Sequence, residues 1–146
     1  MTNITKDITH FYVFNGGGVP LYAYPSSEYD SSLIISFLTA LNIFSKTALN
    51  DYLANICMDK KFMYFYMNKS IDIYYTMVTK KKQDEKKVYS NLEKIAKEFE
   101  DRFGKKIPKW QGDQRTFSDF DNYFKQGDLE VERLAFILFG QKFEKK

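Results

Sequence analysis

The first apolar run of the chain is nearly continuous and does not alternate with polar residues. Residues 8–14 are apolar or aromatic at almost every position, which is typical of a strand covered on both faces of its sheet. Asn15 and three glycines follow, and glycine reaches positive φ without a Cβ penalty, as a tight hairpin turn requires. The chain returns through residues 19–24. Because Pro20 lacks a ladder donor, we predict that this second strand lies at a sheet edge.

A helical pattern follows Pro25, and Ser27 or Asp30 is placed to cap it. Apolar residues recur at the spacing of one helix face, and Ile34 and Leu38 widen the stripe. The stripe consists of Leu33, Phe37, Leu41, Phe44 and Ala48. The opposite face carries Ser32, Ser36, Thr39, Asn42 and Lys46. We therefore predict that the helix rests on the sheet through the stripe and turns its polar face to water.

Three further strands are predicted at residues 53–58, 61–67 and 71–79, because polar turns separate these apolar runs. A second helix is predicted over residues 84–103, with Gly104 placed to end it. One face of this helix is apolar and the other mixes lysine with glutamate. The apolar face consists of Val88, Leu92, Ile95, Ala96, Phe99 and Phe103.

The pattern of apolar residues in the last part of the chain predicts two more helices. The first is short and presents three aromatic side chains at helical spacing: Phe117, Phe120 and Phe124. The second covers residues 128–146 and is apolar on most sides, so it is either deeply buried or carries an interface. We divide the chain into a domain at residues 1–126 and a C-terminal helix at residues 127–146, packed on the domain or used as an interface.

Composition narrows the class of protein. A chain of 146 residues fits one domain, and its single cysteine, Cys57, excludes an internal disulfide and fits a reducing, cytoplasmic location. No signal-peptide pattern opens the sequence, and we expect no membrane span because no apolar run approaches about 20 residues. The net charge of +3 is too mild for a dedicated nucleic-acid binder, so we expect no nucleic-acid partner.

The sequence offers little for catalysis. The only histidine, His10, lies among aromatic residues, and Cys57 has neither a CxxC partner nor a histidine after it. The carboxylates, including Asp119 and Asp121, have no metal-ligand spacing, and the glycine turn lacks the spacing of a phosphate-binding loop. We therefore expect a protein that is not an enzyme and that uses no cofactor and no metal.

The order of the predicted elements resembles the longin domain over residues 8–126. The resemblance is carried by FYVFNGGGVPLYAY at the start and by a long helix that ends in FEDRFGKKI. This family includes N-terminal domains of certain vesicle SNAREs, parts of clathrin-adaptor complexes, the signal recognition particle (SRP) receptor alpha subunit and sedlin. The resemblance implies an α+β, SNARE-like fold: a five-stranded antiparallel sheet in the order 2-1-5-4-3, with the first helix on one face and the later helices on the other.

The same resemblance implies a non-enzymatic interaction module of membrane-trafficking type. Its expected partner is a small GTPase or another longin or roadblock subunit. The strand at residues 53–58 would be an edge, and an edge strand with an adjacent helix can take an extended peptide. The candidate contact residues are Leu53, Ile56 and Met58 on this strand, with Phe136 and Phe139 on the final helix.

Two alternatives stay open. The C-terminal helix could hold a homodimeric scaffold, and the 14 phenylalanines and 11 tyrosines could line the cavity of a small-molecule sensor. A separate feature is the lysine loop formed by Lys80, Lys81 and Lys82, which is a candidate contact with an anionic membrane surface. Any membrane association is expected to be peripheral.

Overall fold

The computed structural model describes residues 8–25, 31–113 and 115–125. The strands are β1 (Ile8–Asn15), β2 (Pro20–Tyr24), β3 (Asn55–Cys57), β4 (Phe62–Asn68) and β5 (Ile73–Thr79). The helices are α1 (Ser31–Leu49) and α2 (Glu85–Phe103), followed by 3-10 turns at Ile107–Lys109 and Ser118–Phe120. Helical residues 121–125 continue the second turn. The caps proposed at Ser27 and Asp30 and the helix proposed at residues 128–146, with Phe136 and Phe139, lie outside the described residues.

The sheet confirms the predicted fold class. All neighbouring strands are antiparallel, and their order is β2-β1-β5-β4-β3. β2, which begins at Pro20, lies at one edge and β3 lies at the other. The second edge strand is shorter than predicted, because only Asn55–Cys57 pairs with β4 and the Met58 amide donates to the Lys61 carbonyl to close the next turn.

The hairpin between β1 and β2 depends on Asn15 and Gly18. The Asn15 side-chain oxygen accepts hydrogen bonds from the amides of Gly17 and Val19, at 2.9 and 3.0 Å. Gly18 has φ +84°, and a Cβ atom on it would lie 3.2 Å from the Thr39 hydroxyl oxygen. Glycine is therefore required here both by backbone conformation and by the close approach of α1.

The α2 side of the sheet is closed. The predicted apolar face of α2 is confirmed, since all six of its residues are buried, and the Asp84 side chain caps the helix by accepting from the Lys87 amide. The three phenylalanines predicted for the short helix are buried beside α2. Two tyrosines of the sheet turn their hydroxyls to carboxylates at this side: Tyr75 donates to Glu100, and Tyr22 donates to Asp121.

The predicted burial of α1 is wrong for most of the apolar stripe, although it is correct for Leu38. Leu33, Phe37 and Phe44, which the pattern assigned to the core, are 68%, 59% and 58% exposed. Leu38, which the pattern included, and Ile35, which it did not, are fully buried, and they pack with Tyr12, Phe14, Met63, Phe65 and Val78 on the sheet. The helix is thus rotated, so that one row of apolar side chains meets the sheet and the predicted stripe lies largely outside.

The physical reason lies in the composition of α1. Lys46 is its only charged residue, so apolar side chains occur on nearly all sides and their periodicity does not single out one face. The contact is decided by shape: Thr39 meets the hairpin at Gly18, and the small Ser45 is buried against the domain. Close approach favours small side chains at these positions and leaves the larger ones outside.

By length and composition alone, one helix in the described part of the chain could cross a membrane, and it is α1 at residues 32–49. This finding differs from the expectation that no segment is long and apolar enough. The core helix of a globular domain can pass the same test, and Ile35 and Leu38 bind α1 to the sheet.

Candidate interaction surface

An apolar cleft lies between α1 and the end of the sheet where β4 begins. α1 contacts β1 and β2, so it leaves β5 and β4 partly uncovered on its side of the sheet. The cleft has a volume of about 400 Å³ and is almost wholly apolar. Its floor consists of Tyr12, Met63 and Val78 from three strands, and its walls include Leu33, Phe37, Met58 and Lys61.

The walls of the cleft are unusually exposed for apolar residues. Leu33 and Phe37 stand on the first two turns of α1, and Met58 faces them from the turn between β3 and β4 with 45% of its surface exposed. Large contiguous apolar patches on a protein surface mark binding sites more often than isolated apolar residues do. The arrangement can therefore accept an apolar group from outside the domain.

The mouth of the cleft is basic. Lys61 lines it, and Lys60 precedes Lys61 in the turn. The start of β4 lies beside the end of β5, because Phe62 pairs with Thr79. The exposed residues Lys80, Lys81 and Lys82 therefore leave the sheet at the same end as the cleft. Asp59 is the acidic residue of the adjoining turn.

The three candidate contact residues of the edge strand differ in their surroundings. Met58 lines the cleft. Leu53 and Ile56 are half-buried and pack against the core cluster under α1. Leu53 also lines a second, smaller cleft of about 240 Å³, which contains Tyr52 and Lys69. Changes at Leu53 or Ile56 would thus disturb the core as well as a surface.

Sequence reasoning missed Leu33 and Phe37 as surface residues. Their spacing is the spacing of a core stripe, and no polar residue in the sequence marks them as exposed. The sequence feature that could have raised the question is the scarcity of charge on α1, since a helix without a charged face does not reveal which side meets water.

The groups considered for catalysis are dispersed. His10 is buried in β1, its Nδ1 lies 3.1 Å from the Thr9 hydroxyl, and it forms part of the cleft wall. Cys57 is exposed on β3. Within the described ranges, no group of three or more His, Cys, Asp or Glu residues could hold a metal ion.

The tyrosines with strongly shifted pKa values lie on the α2 side, away from the cleft. Burial raises the pKa of Tyr22 far above its usual value, and the neighbouring Asp121 carboxylate raises it further. Burial and Glu100 do the same to the pKa of Tyr75. Both hydroxyls donate to carboxylates across the interior, at 2.6 Å for Tyr22 and Asp121, so we assign them to holding the core together.

No protein-family model matches this chain, and no curated protein matches it. Among solved structures, a chain from "The Structure of the Mammalian SRP Receptor" is similar, with a TM-score of 0.50 and 15% sequence identity. The match covers 88% of this chain and 98% of that chain. At this identity the likeness concerns the fold. Together with the strand order, it is consistent with a longin-like α+β fold.

Proposed function

We propose that this chain is a non-enzymatic interaction module of the longin type, which binds a protein partner in the cleft between α1 and the turn after β3. The resemblance to longin domains suggests a small GTPase or another longin or roadblock subunit as the partner, and a cytoplasmic setting. The likeness in fold to a chain of the mammalian SRP receptor is compatible with this assignment.

The observation that carries the proposal is the exposure of Leu33, Phe37 and Met58 around an apolar cleft. Binding sites gain most of their affinity from apolar or aromatic anchors that fill a pocket and lose contact with water. The cleft offers such a pocket, and its volume lies within the range of about 300–1,000 Å³ that is usual for binding pockets.

Side-chain insertion into the cleft suits this domain better than the addition of a strand to β3. β3 has three residues, and short edges are poor templates for strand pairing. The cleft therefore replaces the edge backbone of β3 as the proposed point of contact.

The test is a pull-down from source-cell lysate with GDP or a non-hydrolysable GTP analogue, read by mass spectrometry. The bait is the wild-type chain, Met58→Glu or Ile71→Glu. Met58 lines the cleft and is 45% exposed, whereas Ile71, in the turn between β4 and β5, has a similar exposed fraction of 41%. We expect a small GTPase, longin or roadblock protein with wild type and Ile71→Glu, and its loss with Met58→Glu. Equal recovery by all three baits, or no such protein, would contradict the proposal.

The apolar cleft also favours a second candidate, a sensor for a small apolar molecule. The cleft contains the rings of Tyr12 and Phe37, which stack well on flat ligands. A thermal-shift screen with a metabolite library tests it: a ligand should raise the unfolding temperature of wild type and not of Met58→Glu. The homodimer alternative rests on residues 127–146, outside the described ranges, and light scattering on the intact chain tests it.

A further inference from the structure

We propose that the α1 side of the domain docks on an anionic phospholipid membrane, with α1 lying in the plane of the membrane interface. This inference concerns a second kind of contact, independent of the protein partner. It rests on three features of the described residues: the outward apolar stripe of α1, the attachment of α1 to the sheet, and the distribution of lysines around that helix.

The stripe suits a membrane interface. Leu33, Phe37 and Phe44 are 58–68% exposed and stand on one side of α1. At about 1.5 Å per residue, the row from Leu33 to Phe44 is about 16 Å long. Interfacial helices bury rows of Phe and Leu among the lipid headgroups and the upper acyl chains. A helix with one charge in 19 residues presents no acidic group to such a surface.

The attachment of α1 to the sheet determines the geometry of docking. By composition and length alone α1 could span a bilayer, but Ile35 and Leu38 are fully buried against the strands. Spanning would separate these residues from the core of the domain. Contact in the plane of the interface leaves them in place and uses only the side of the helix that is already exposed.

The charges around α1 are complementary to an anionic surface. Residues 31–83 contain seven lysines, three aspartates and no arginine or glutamate. Five of the lysines lie at the end of the sheet next to Leu33: Lys60, Lys61, Lys80, Lys81 and Lys82. At the other end of α1, the ammonium groups of Lys46 and Lys69 lie 4.7 and 4.3 Å from the centre of the Tyr52 ring.

Two of the three aspartates lie against loop backbone: Asp51 against the next residue, and Asp72 against the neighbouring β1–β2 turn. The Asp51 side chain accepts from the Tyr52 amide at 2.8 Å. The Asp72 carboxylate lies against Gly16 in the β1–β2 turn, within 2.4 Å of the position that a Cβ atom would take. Tyrosine and lysine are the residue types that anchor proteins at the membrane–water boundary, so this end of α1 matches the boundary in both its apolar and its charged groups.

Phe44 allows membrane docking to be distinguished from a protein partner bound in the cleft. It is 58% exposed but does not line the cleft, whereas Met58 lines the cleft and lies off α1. A partner seated in the cleft covers Leu33, Phe37 and Met58 and leaves Phe44 outside. A membrane that lies along α1 covers Phe44 as well, and this difference allows the two contacts to be tested separately.

The experiment is co-sedimentation of the intact chain with phosphatidylcholine vesicles that either contain or lack phosphatidylserine. We expect binding only to the vesicles with phosphatidylserine, and weaker binding in high salt because salt screens charges. Phe44→Ser should bind about tenfold more weakly, the loss expected for one large apolar side chain. The triple variant K80E/K81E/K82E should bind at least about a hundredfold more weakly, since each basic residue contributes near an anionic surface.

Two controls isolate the α1 side. K94E/K105E/K109E changes the net charge equally with exposed lysines of α2 and the segment after it, and should retain binding. Ile71→Ser removes an exposed apolar residue that belongs neither to α1 nor to the cleft, and it should also retain binding. The fold of each variant is checked by circular dichroism. If Phe44→Ser does not fold, Phe44→Trp in a Trp110→Phe chain replaces it, and its emission should shift to shorter wavelength only with phosphatidylserine.

Four outcomes would overturn the proposal. They are no sedimentation of wild type with phosphatidylserine vesicles, equal losses in the two triple variants, wild-type binding by Phe44→Ser, and no emission shift in the tryptophan variant.

Partner recovery that depends on Met58, without vesicle binding, would identify this side as a protein interface alone. Self-association in light scattering without vesicle binding would identify it as a contact between two copies. Membrane docking can thus fail while the proposed function stands, and the reverse also holds.

Discussion

The two sides of the sheet differ in how completely they are covered. On the α2 side, α2 and the helical turn at residues 118–125 lie side by side, and Phe99 and Phe120 are fully buried between them and the strands. On the α1 side, the described residues place one helix, α1. Five strands at about 4.8 Å spacing span about 19 Å, whereas a helix is about 10–12 Å wide, so one helix leaves part of the sheet open.

Because of this difference, we expect the α2 side to determine stability and the α1 side to determine binding. The α2 side holds most of the buried aromatic side chains and both tyrosine–carboxylate pairs, so changes there should act on the free energy of unfolding. The outer surface of α1 and its cleft carry exposed apolar groups, so changes there should act on binding. Three predictions test this comparison.

The largest effect is expected from Phe99→Ala on α2. The Phe99 ring is fully buried and contacts the rings of Tyr75, Phe117 and Phe120, among others. Its removal leaves a cavity and should lower the free energy of unfolding by about 3–5 kcal/mol, measured by urea denaturation. Phe44→Ala is the matched control on α1 and should cost less than about 1 kcal/mol. Similar losses for the two variants would refute the separation of the two sides.

An intermediate effect is expected from Tyr75→Phe at alkaline pH. The folded protein raises the pKa of Tyr75 above the value of about 10 that an unfolded chain has. Below pH 10 the Tyr75 hydroxyl is protonated in both the folded and the unfolded state, so its contribution to the free energy of unfolding is fully present. As the pH rises above 10, the unfolded state loses the proton first, so the folded state becomes less stable. Each tyrosine with a raised pKa should lower the free energy of unfolding by about 1.4 kcal/mol per pH unit in this range.

The measurement is the slope of the unfolding free energy against pH, between pH 9 and about pH 11, by urea denaturation. Tyr75→Phe should have a smaller slope than wild type, and Tyr22→Phe should behave in the same way because its pKa is also raised. Phe103→Leu is the control, since it lowers stability while both hydroxyls remain. If the two tyrosine variants keep the wild-type slope, the pairs with Glu100 and Asp121 do not govern stability at high pH.

The contrast between α2 and α1 also explains how much the sequence could predict. The outer face of α2 is dense in Lys and Glu, so the apolar face is unambiguous and its six buried residues were predicted correctly. α1 has one charge, at Lys46, and its burial is decided by contacts such as Thr39 with Gly18. Such contacts join distant parts of the chain, and the periodicity of one helix contains no information about them.

The candidate site shows the same limit. Met58 could be proposed from its place at a sheet edge, and it does line the cleft. The other wall, Leu33 and Phe37, was assigned to the core, because the cleft lies where α1 fails to cover the five-stranded sheet. The strand order itself followed from the resemblance to longin domains. Phe136 and Phe139 stay predictions.

The smallest effect on stability is expected from Phe37→Gln. Phe37 is 59% exposed, and glutamine is at least as good a helix former as phenylalanine, so the free energy of unfolding should change by less than about 0.5 kcal/mol. Leu38→Gln, one residue further along α1, buries an amide in an apolar site and should cost about 3 kcal/mol or more. Urea denaturation of the two variants compares the two sides of one helix.

The same pair gives the sharpest test of the function of α1. Phe37 lies in the cleft wall and on the outward stripe, so Phe37→Gln should weaken both partner recovery and vesicle binding while the fold remains intact. Were Phe37→Gln to destabilise the protein as much as Leu38→Gln, the ring would belong to the core. α1 would then be a structural helix on both sides, and the comparison between the two sides of the sheet would fail.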